Sequence, residues 1–162
     1  MEPRFRPKKR LGQHFLTANW AIHDIIALAR FRASDVVLEI GPGKGALTLP
    51  LARSVRHVVA VEKDTSLINL LKKKLRGSGI TNVTLVNEDI LKWNFNHIKA
   101  LSTEKIQVIG NLPYNISSPF LEKLIENRKL VGRAVLMFQL EVAKRIAASP
   151  GTKAYGAMTL LV

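Results

Sequence analysis

Asn111, Leu112, Pro113 and Tyr114 follow an apolar run, Ile106 to Ile109, that reads as a buried strand entering a loop. The string holds the parts needed to grip an aromatic amine such as the exocyclic amino group of adenine. That amine is a poor nucleophile because its lone pair is delocalised into the ring, so a catalyst must draw the nitrogen toward a tetrahedral geometry. The Asn111 side-chain oxygen and the Leu112 carbonyl can each accept a hydrogen bond from such an amine. Pro113 stiffens the turn and removes a competing N–H, and Tyr114 offers a ring face for a base. The same four residues also make an ordinary strand-terminating turn with a tyrosine covering core.

A second string, Glu39-Ile40-Gly41-Pro42-Gly43-Lys44-Gly45, stands where a strand meets a helix. Glycines there let the backbone approach a ligand, and the amides of the helix face it. With Gly41, Gly43 and Ala46 it also fits the dehydrogenase fingerprint, so by itself it means a nucleoside-containing cofactor and leaves nicotinamide and S-adenosylmethionine both open. Glu62, about 20 residues further on, can accept from ribose hydroxyls. Lys63 beside it would also suit a phosphate. Asp89 closes the next strand and can accept from an adenine amino group. Each acid alone reads as an exposed loop charge, but Glu39, Glu62 and Asp89 stand at successive strand ends, the edge where ligands bind in such sheets.

The elements that must position these residues alternate along the chain. Strand-like runs at Val36 to Ile40, Val58 to Val61, Val83 to Val86, Ile106 to Ile109 and Ala134 to Phe138 are separated by helical segments at about 46–53, 66–76, 117–127 and 140–147. That rhythm predicts an α/β, doubly wound, mostly parallel sheet. An amphipathic helix over 17–30 precedes it, with Trp20, Ile22, Ile25, Ile26 and Leu28 as its apolar residues and Thr17 or Asn19 as its cap.

With 162 residues and 47% hydrophobic content the chain suits one packed domain. A formal charge of +13, from 25 Lys and Arg against 12 Asp and Glu, favours a polyanionic partner. Arg4, Arg6, Lys8, Lys9 and Arg10 form a basic arm suited to phosphates, whereas Lys72 to Lys74 read as the solvated face of a helix. There is no cysteine, which excludes disulfides, thiolate catalysis and Cys-ligated zinc. His14, His23, His57 and His97 show neither metal spacing nor an adjacent nucleophile, so no metal is expected. No stretch has membrane-spanning length and no secretory signal is legible, so the expected location is cytoplasmic.

Together, Gln13-His14-Phe15-Leu16, the Glu39 to Gly45 string, Glu62, Asp89, Asn111 to Tyr114, and the stretch from Gln139 and Glu141 through Lys153, Tyr155 and Gly156 resemble the ribosomal RNA adenine N6-dimethyltransferases of the small subunit. The related large-subunit methylases usually carry Ile where Leu112 stands. The resemblance implies a Rossmann-like S-adenosylmethionine-dependent methyltransferase fold, that cofactor as methyl donor, and two adjacent adenosines near the 3′ end of small-subunit rRNA as substrate. It places His14 and Leu16 over the cofactor, Gly41 and Gly43 beside its amino-acid part, Glu62 on the ribose and Asp89 on the adenine. Asn111 borders both cofactor and target base. His14 stands where the family often has Asn; either side chain can donate a hydrogen bond.

The resemblance divides the chain into a basic arm with a cofactor-lid motif, 1–16, and a catalytic domain, 17–162, that lacks its final strand hairpin and the C-terminal helical RNA-binding domain. Truncation of a longer protein is the expected cause. It predicts an exposed sheet edge at Val135 to Phe138, an unpaired tail at Met158 to Val162, a monomer at full length and tail-mediated association otherwise. The rival readings are a non-catalytic rRNA-binding assembly factor and a nicotinamide oxidoreductase.

Overall fold

The structure is a computed structural model and describes residues 15–156 and Thr159. His14, the basic arm and the tail from Met158, apart from Thr159, lie outside the described residues. Five strands, β1 (Val36–Ile40), β2 (His57–Glu62), β3 (Val83–Asn87), β4 (Ile106–Asn111) and β5 (Val131–Met137), form one sheet in the order β3-β2-β1-β4-β5. All four pairings are parallel. The strand order reverses between β1 and β4, so the two halves of the sheet leave a crevice at that point, above the carboxyl ends of the strands.

β1 is a run without alternation, Val-Val-Leu-Glu-Ile, because both faces of the sheet are covered. Val36, Leu38 and Ile40 face one layer with Val59, Val61, Val108, Phe95 and Phe120. Val37 faces the other with Val58, Ala60, Ile109, Leu47 and the helix residues Leu51 and Ala52. The helices are α1 (Asn19–Ala29), α2 (Thr48–Ser54), α3 (Thr65–Gly77), α4 (Tyr114–Glu126) and α5 (Leu140–Ile146), with a 3-10 segment at Phe95–Ala100. β5 is the outer strand on the β4 side, paired to β4 alone among the described elements.

Several elements depart from the sequence expectation. Of the apolar residues expected to pack from α1, Ile22, Ile25 and Ile26 do so beside fully buried Ala29, whereas Trp20 and Leu28 are each 73% exposed. At about 100° per residue, 22, 25, 26 and 29 share one stripe, and 20 lies opposite it. Neither Thr17 nor Asn19 caps this helix: Ala18 holds the N-cap position with no side-chain bond. At its other end Arg133 of β5 donates to the Ala29 carbonyl at 2.9 Å, tying α1 to the sheet edge. β5 begins at Val131, three residues before the expected start. α4 also starts three residues early, at Tyr114, because Pro113 in extended conformation serves as its N-cap and Pro119 is accommodated inside the helix instead of opening it.

The approach of β4 to β1 at the crevice depends on Gly110, which pairs with Ile40. A Cβ at position 110 would stand 3.0 Å from Ile40 Cβ and 3.1 Å from the Ile40 carbonyl oxygen, an obstacle of backbone and branched side chain that cannot simply rotate away. Gly110→Ala is therefore expected to lower stability by about 1–3 kcal/mol through overpacking. A urea titration checks this: the midpoint should fall at unchanged slope, and an unchanged midpoint would show that the two strands have room to spare.

Candidate active site

One cleft runs across the carboxyl edge of the sheet. Its lining takes in Phe15 and Leu16, the Gly41 to Lys44 loop, Glu39, Glu62, Lys63, Glu88, Asp89, Ile90, Asn111, Pro113, Asn115 and Ile116. Residues from the ends of four different strands thus meet in one place, with apolar walls from Ile40, Val61, Leu67 and Ile90 between the polar groups. An acid-rimmed slot with apolar walls suits a nucleoside, whose base packs on hydrocarbon and whose hydroxyls and amine donate to carboxylates.

Glu62 organises the edge. Its Oε2 accepts from the Gly43 amide at 3.2 Å and its Oε1 from the Asp64 amide at 2.8 Å, so one carboxylate joins the β1 loop to the start of α3. Gly43 has φ +58, and a Cβ there would meet the Phe15 ring at 3.3 Å; the position is closed to side chains from both the backbone and the ring above it. Lys44 places its ammonium 4.8 Å from the centroid of the same ring. Burial pushes the Glu62 carboxyl above its ordinary value, and the Asp64 and Gly43 amides recover only part of that. Asp64 in turn caps α3 by accepting from the Ser66 amide.

The neighbouring acid is engaged as well. Asp89 Oδ2 accepts from Lys63 Nζ at 2.8 Å and Oδ1 from the Leu91 amide at 3.0 Å. Partial burial pushes this carboxyl up, but the Lys63 and Leu91 hydrogen bonds with the charges of Lys63 and Lys92 outweigh it, and its pKa lies below the ordinary value. Asn87 donates to the Glu62 and Lys63 carbonyls and accepts from Thr65, which fixes the backbone that carries the pair. Lys63, expected on its own as a phosphate or cofactor contact, is in this structure the ion-pair partner of Asp89. A carboxylate oxygen has two lone pairs, so Asp89 can still accept from an amine beside Lys63.

Glu39 is the deepest acid. By strand alternation it shares the face of Val37, toward Thr48 of α2, and it is only 1% exposed. Its Oε2 and the Thr48 hydroxyl are buried close together but fall short of hydrogen-bond geometry. Burial, reinforced by the nearby Glu62 charge and opposed by Thr48, pushes the Glu39 pKa up to about 8.

The four residues at the end of β4 do not share one environment. Asn111 is the last strand residue, half-buried and in the cleft lining with Pro113. Leu112 turns its side chain into the core, and its amide donates to the Met137 carbonyl at 3.0 Å, which fixes the peptide plane. Tyr114 opens α4 and stands exposed, outside the cleft lining. Leu16, Gly41, Gly43, Glu62, Lys63 and Asp89 all line the cleft. Phe15, Glu88 and Asn115 line it too and were not singled out from sequence. Phe15 stood within the Gln13 to Leu16 string and was the legible one of the three; nothing in the local pattern marks Glu88 or Asn115.

A family model described as ribosomal RNA adenine dimethylase matches residues 4–162. The chain belongs to the ribosomal RNA adenine dimethylase family. It is 51% identical over 155 residues to ribosomal RNA small subunit methyltransferase A of Desulforapulum autotrophicum, covering 96% of this chain and 54% of that protein. It is 45% identical over 159 residues to the protein of the same name from Syntrophus aciditrophicus, covering 96% and 55%. The chain therefore spans about half the length of the curated relatives it matches. Among solved structures, a dimethyladenosine transferase from Plasmodium falciparum superposes with a TM-score of 0.82 at 36% identity, over 92% of this chain and 52% of that one. The 23S rRNA methyltransferase ErmE follows with 0.72 at 33%, over 82% and 50%. Membership of the dimethylase family resolves the ambiguity of the Gly41 to Gly45 string against a nicotinamide dehydrogenase.

In this dimethylase-family site the protonation of Glu39 has a consequence for stability. Its folded pKa, about 8, lies above the ordinary 4.5, so between those values the folded state holds a proton that the unfolded chain has released. Its contribution therefore falls as pH rises across that window, by about 1.4 kcal/mol per pH unit at most. Glu39→Gln should flatten the decline. Urea denaturation from pH 4.5 to 8 measures it, and parallel profiles for the two proteins would show that Glu39 titrates normally.

Proposed function

We propose that the protein of which this chain is a part transfers methyl groups from S-adenosylmethionine to N6 of two adjacent adenosines near the 3′ end of small-subunit rRNA. The observation that carries the reading is Asn111: it ends β4 inside the cleft whose other strands supply Glu62 and Asp89, so an amine acceptor and a nucleoside site share one edge. The matched relatives bearing the small-subunit name, and Leu112 at the position where large-subunit methylases usually carry Ile, favour the small-subunit substrate. Such a substrate and the +13 charge are consistent with each other, and the site of action would be the cytoplasm.

The residues present fit the cofactor. Gly41 leaves backbone open beside its amino-acid part, with Gly43 next to it under the Phe15 ring; Glu62 can take the ribose hydroxyls, and Asp89, with Lys63 paired to it, can take the adenine amine. His14 and Leu16 would cover it. When bound, S-adenosylmethionine supplies an electrophilic methyl group on a sulfonium. The chain's own part is to prepare the nucleophile: Asn111 and the Leu112 carbonyl accept from the adenine amine, Pro113 adds no competing donor, and Tyr114 stacks on the flipped base. The Leu112 amide, bonded to the Met137 carbonyl, anchors the backbone one peptide before the Leu112 carbonyl. The proton leaves the methylated amine for water, so no general base is required, and positioning with electrostatics carries the rate.

Replacing Asn111 by Ala in the full-length protein should lower methyl transfer about 10²–10³-fold, with a far smaller change in S-adenosylmethionine affinity. Calorimetric cofactor binding beside a labelled-methyl assay separates the two quantities. Undiminished transfer by the variant would remove Asn111 from the mechanism. A non-catalytic rRNA-binding role, favoured by the net charge alone, predicts salt-dependent RNA binding with no transfer in either protein.

A further inference from the structure

The connections that leave β4 and β5 are built alike. Asn111 and Met137 are paired at the ends of the two strands. Two residues follow each: Leu112 and Pro113 after β4, Phe138 and Gln139 after β5. The first of each pair, Leu112 or Phe138, packs into the same core cluster. The second is an extended N-cap, Pro113 at φ −68 and ψ 152, Gln139 at φ −60 and ψ 147. The third residue then opens a helix and stands in solvent: Tyr114 is 63% exposed and Leu140 69%.

An apolar side chain so exposed is unremarked on most surfaces, but Leu140 occupies on β5 the position that Tyr114 occupies on β4, at the ligand-binding edge. Tyr114 and Leu140 each stand three residues past a paired strand end, Asn111 and Met137, on adjacent strands about 5 Å apart, so they rise from neighbouring positions of one edge. One turn beyond Leu140, on the same face, stands exposed Lys144, with Arg145 beside it and Glu141 as the acid of that helix. An exposed aliphatic side chain can cover the face of a base by apolar contact, and a cation one turn away can meet a phosphate of the same strand.

We propose that Leu140 and Lys144 form a second nucleotide subsite, which holds the nucleotide next to the target adenosine: Leu140 packs on its base and Lys144 meets its phosphate. The inference rests on the rRNA reading above and extends it to a named contact for a second nucleotide. It gives the enzyme a hold on a dinucleotide, with Tyr114 and Leu140 as its two apolar supports.

The test uses the full-length protein and a short RNA hairpin whose loop carries two adjacent adenosines, with 2-aminopurine placed in turn at each loop position. Wild type should change the fluorescence of one neighbour of the target on binding. Leu140→Ala should abolish that change, Leu140→Glu should weaken RNA binding about tenfold, and Leu140→Met should restore it, all with unaltered cofactor affinity and melting temperature. Lys144→Ala should weaken binding and reduce its salt dependence. If Tyr114→Ala weakens RNA binding while the Leu140 variants leave affinity and neighbour fluorescence untouched, the second subsite is overturned and the methyltransferase reading stands. No hairpin binding by wild type overturns both. Leu140 variants that shift only the oligomeric state in sedimentation would assign the patch to a second copy of the chain and likewise overturn the subsite.

Discussion

The Glu62 carboxylate, buried between two backbone amides, is the contact on which the cleft depends. It accepts from Gly43 in the loop after β1, 19 residues before it, and from Asp64 at the start of α3, and so closes a bridge between two connections. Desolvating a carboxylate is costly unless its oxygens are paired, and here each oxygen has an amide. The loop at Gly43 is held down from below by this bond and covered from above by the Phe15 ring. From Glu62 the network passes outward through Asn87, which binds both adjacent carbonyls, to Lys63 and Asp89. The ends of β1, β2 and β3 are therefore one hydrogen-bonded assembly, and a rigid edge of this kind lowers the ordering cost of binding.

The charge layout separates two tasks. The chain as a whole is strongly basic, yet the lining of the cleft gathers Glu39, Glu62, Glu88 and Asp89 against Lys44 and Lys63. On the proposed function, the acids would suit a cationic sulfonium and a hydroxyl-bearing nucleoside, and the basic chain would attract a polyanionic RNA. Glu39 belongs to the inner set. Held neutral by burial near pH 7, it forms the floor beneath the loop without adding a charge that Glu62 would oppose.

Much of this was legible in the sequence, for identifiable reasons. The strand cores were readable because a parallel sheet covered on both faces demands unbroken apolar runs, and Val36 to Ile40 is such a run interrupted only by Glu39. The Gly loop and the acids at strand ends were readable because the fold puts them at one edge whatever lies between. The start of α4 was not, since a proline within the next turn, Pro119, is ordinarily a sign that a helix begins near it. Nor was the Lys63–Asp89 pair, which joins residues 26 apart through the pairing of β2 with β3 and leaves no local pattern. The depth of Glu39 and the exposure of Trp20 and Leu140 depend on which neighbouring helix covers each face, a property of packing that periodicity alone does not carry.

The central claim is chemical: the edge formed by Asn111, Leu112, Glu62 and Asp89 directs a methyl group to the exocyclic nitrogen of adenine. Its most direct test is the identity of the product. Unmethylated small ribosomal subunits would be incubated with S-adenosylmethionine carrying a labelled methyl group and the full-length protein, and the rRNA then digested to nucleosides and resolved by mass spectrometry. The account predicts label in N6,N6-dimethyladenosine from two adjacent positions near the 3′ end. Label on a ribose hydroxyl, on a ring nitrogen or on another base, or no incorporation with intact cofactor binding, would contradict it.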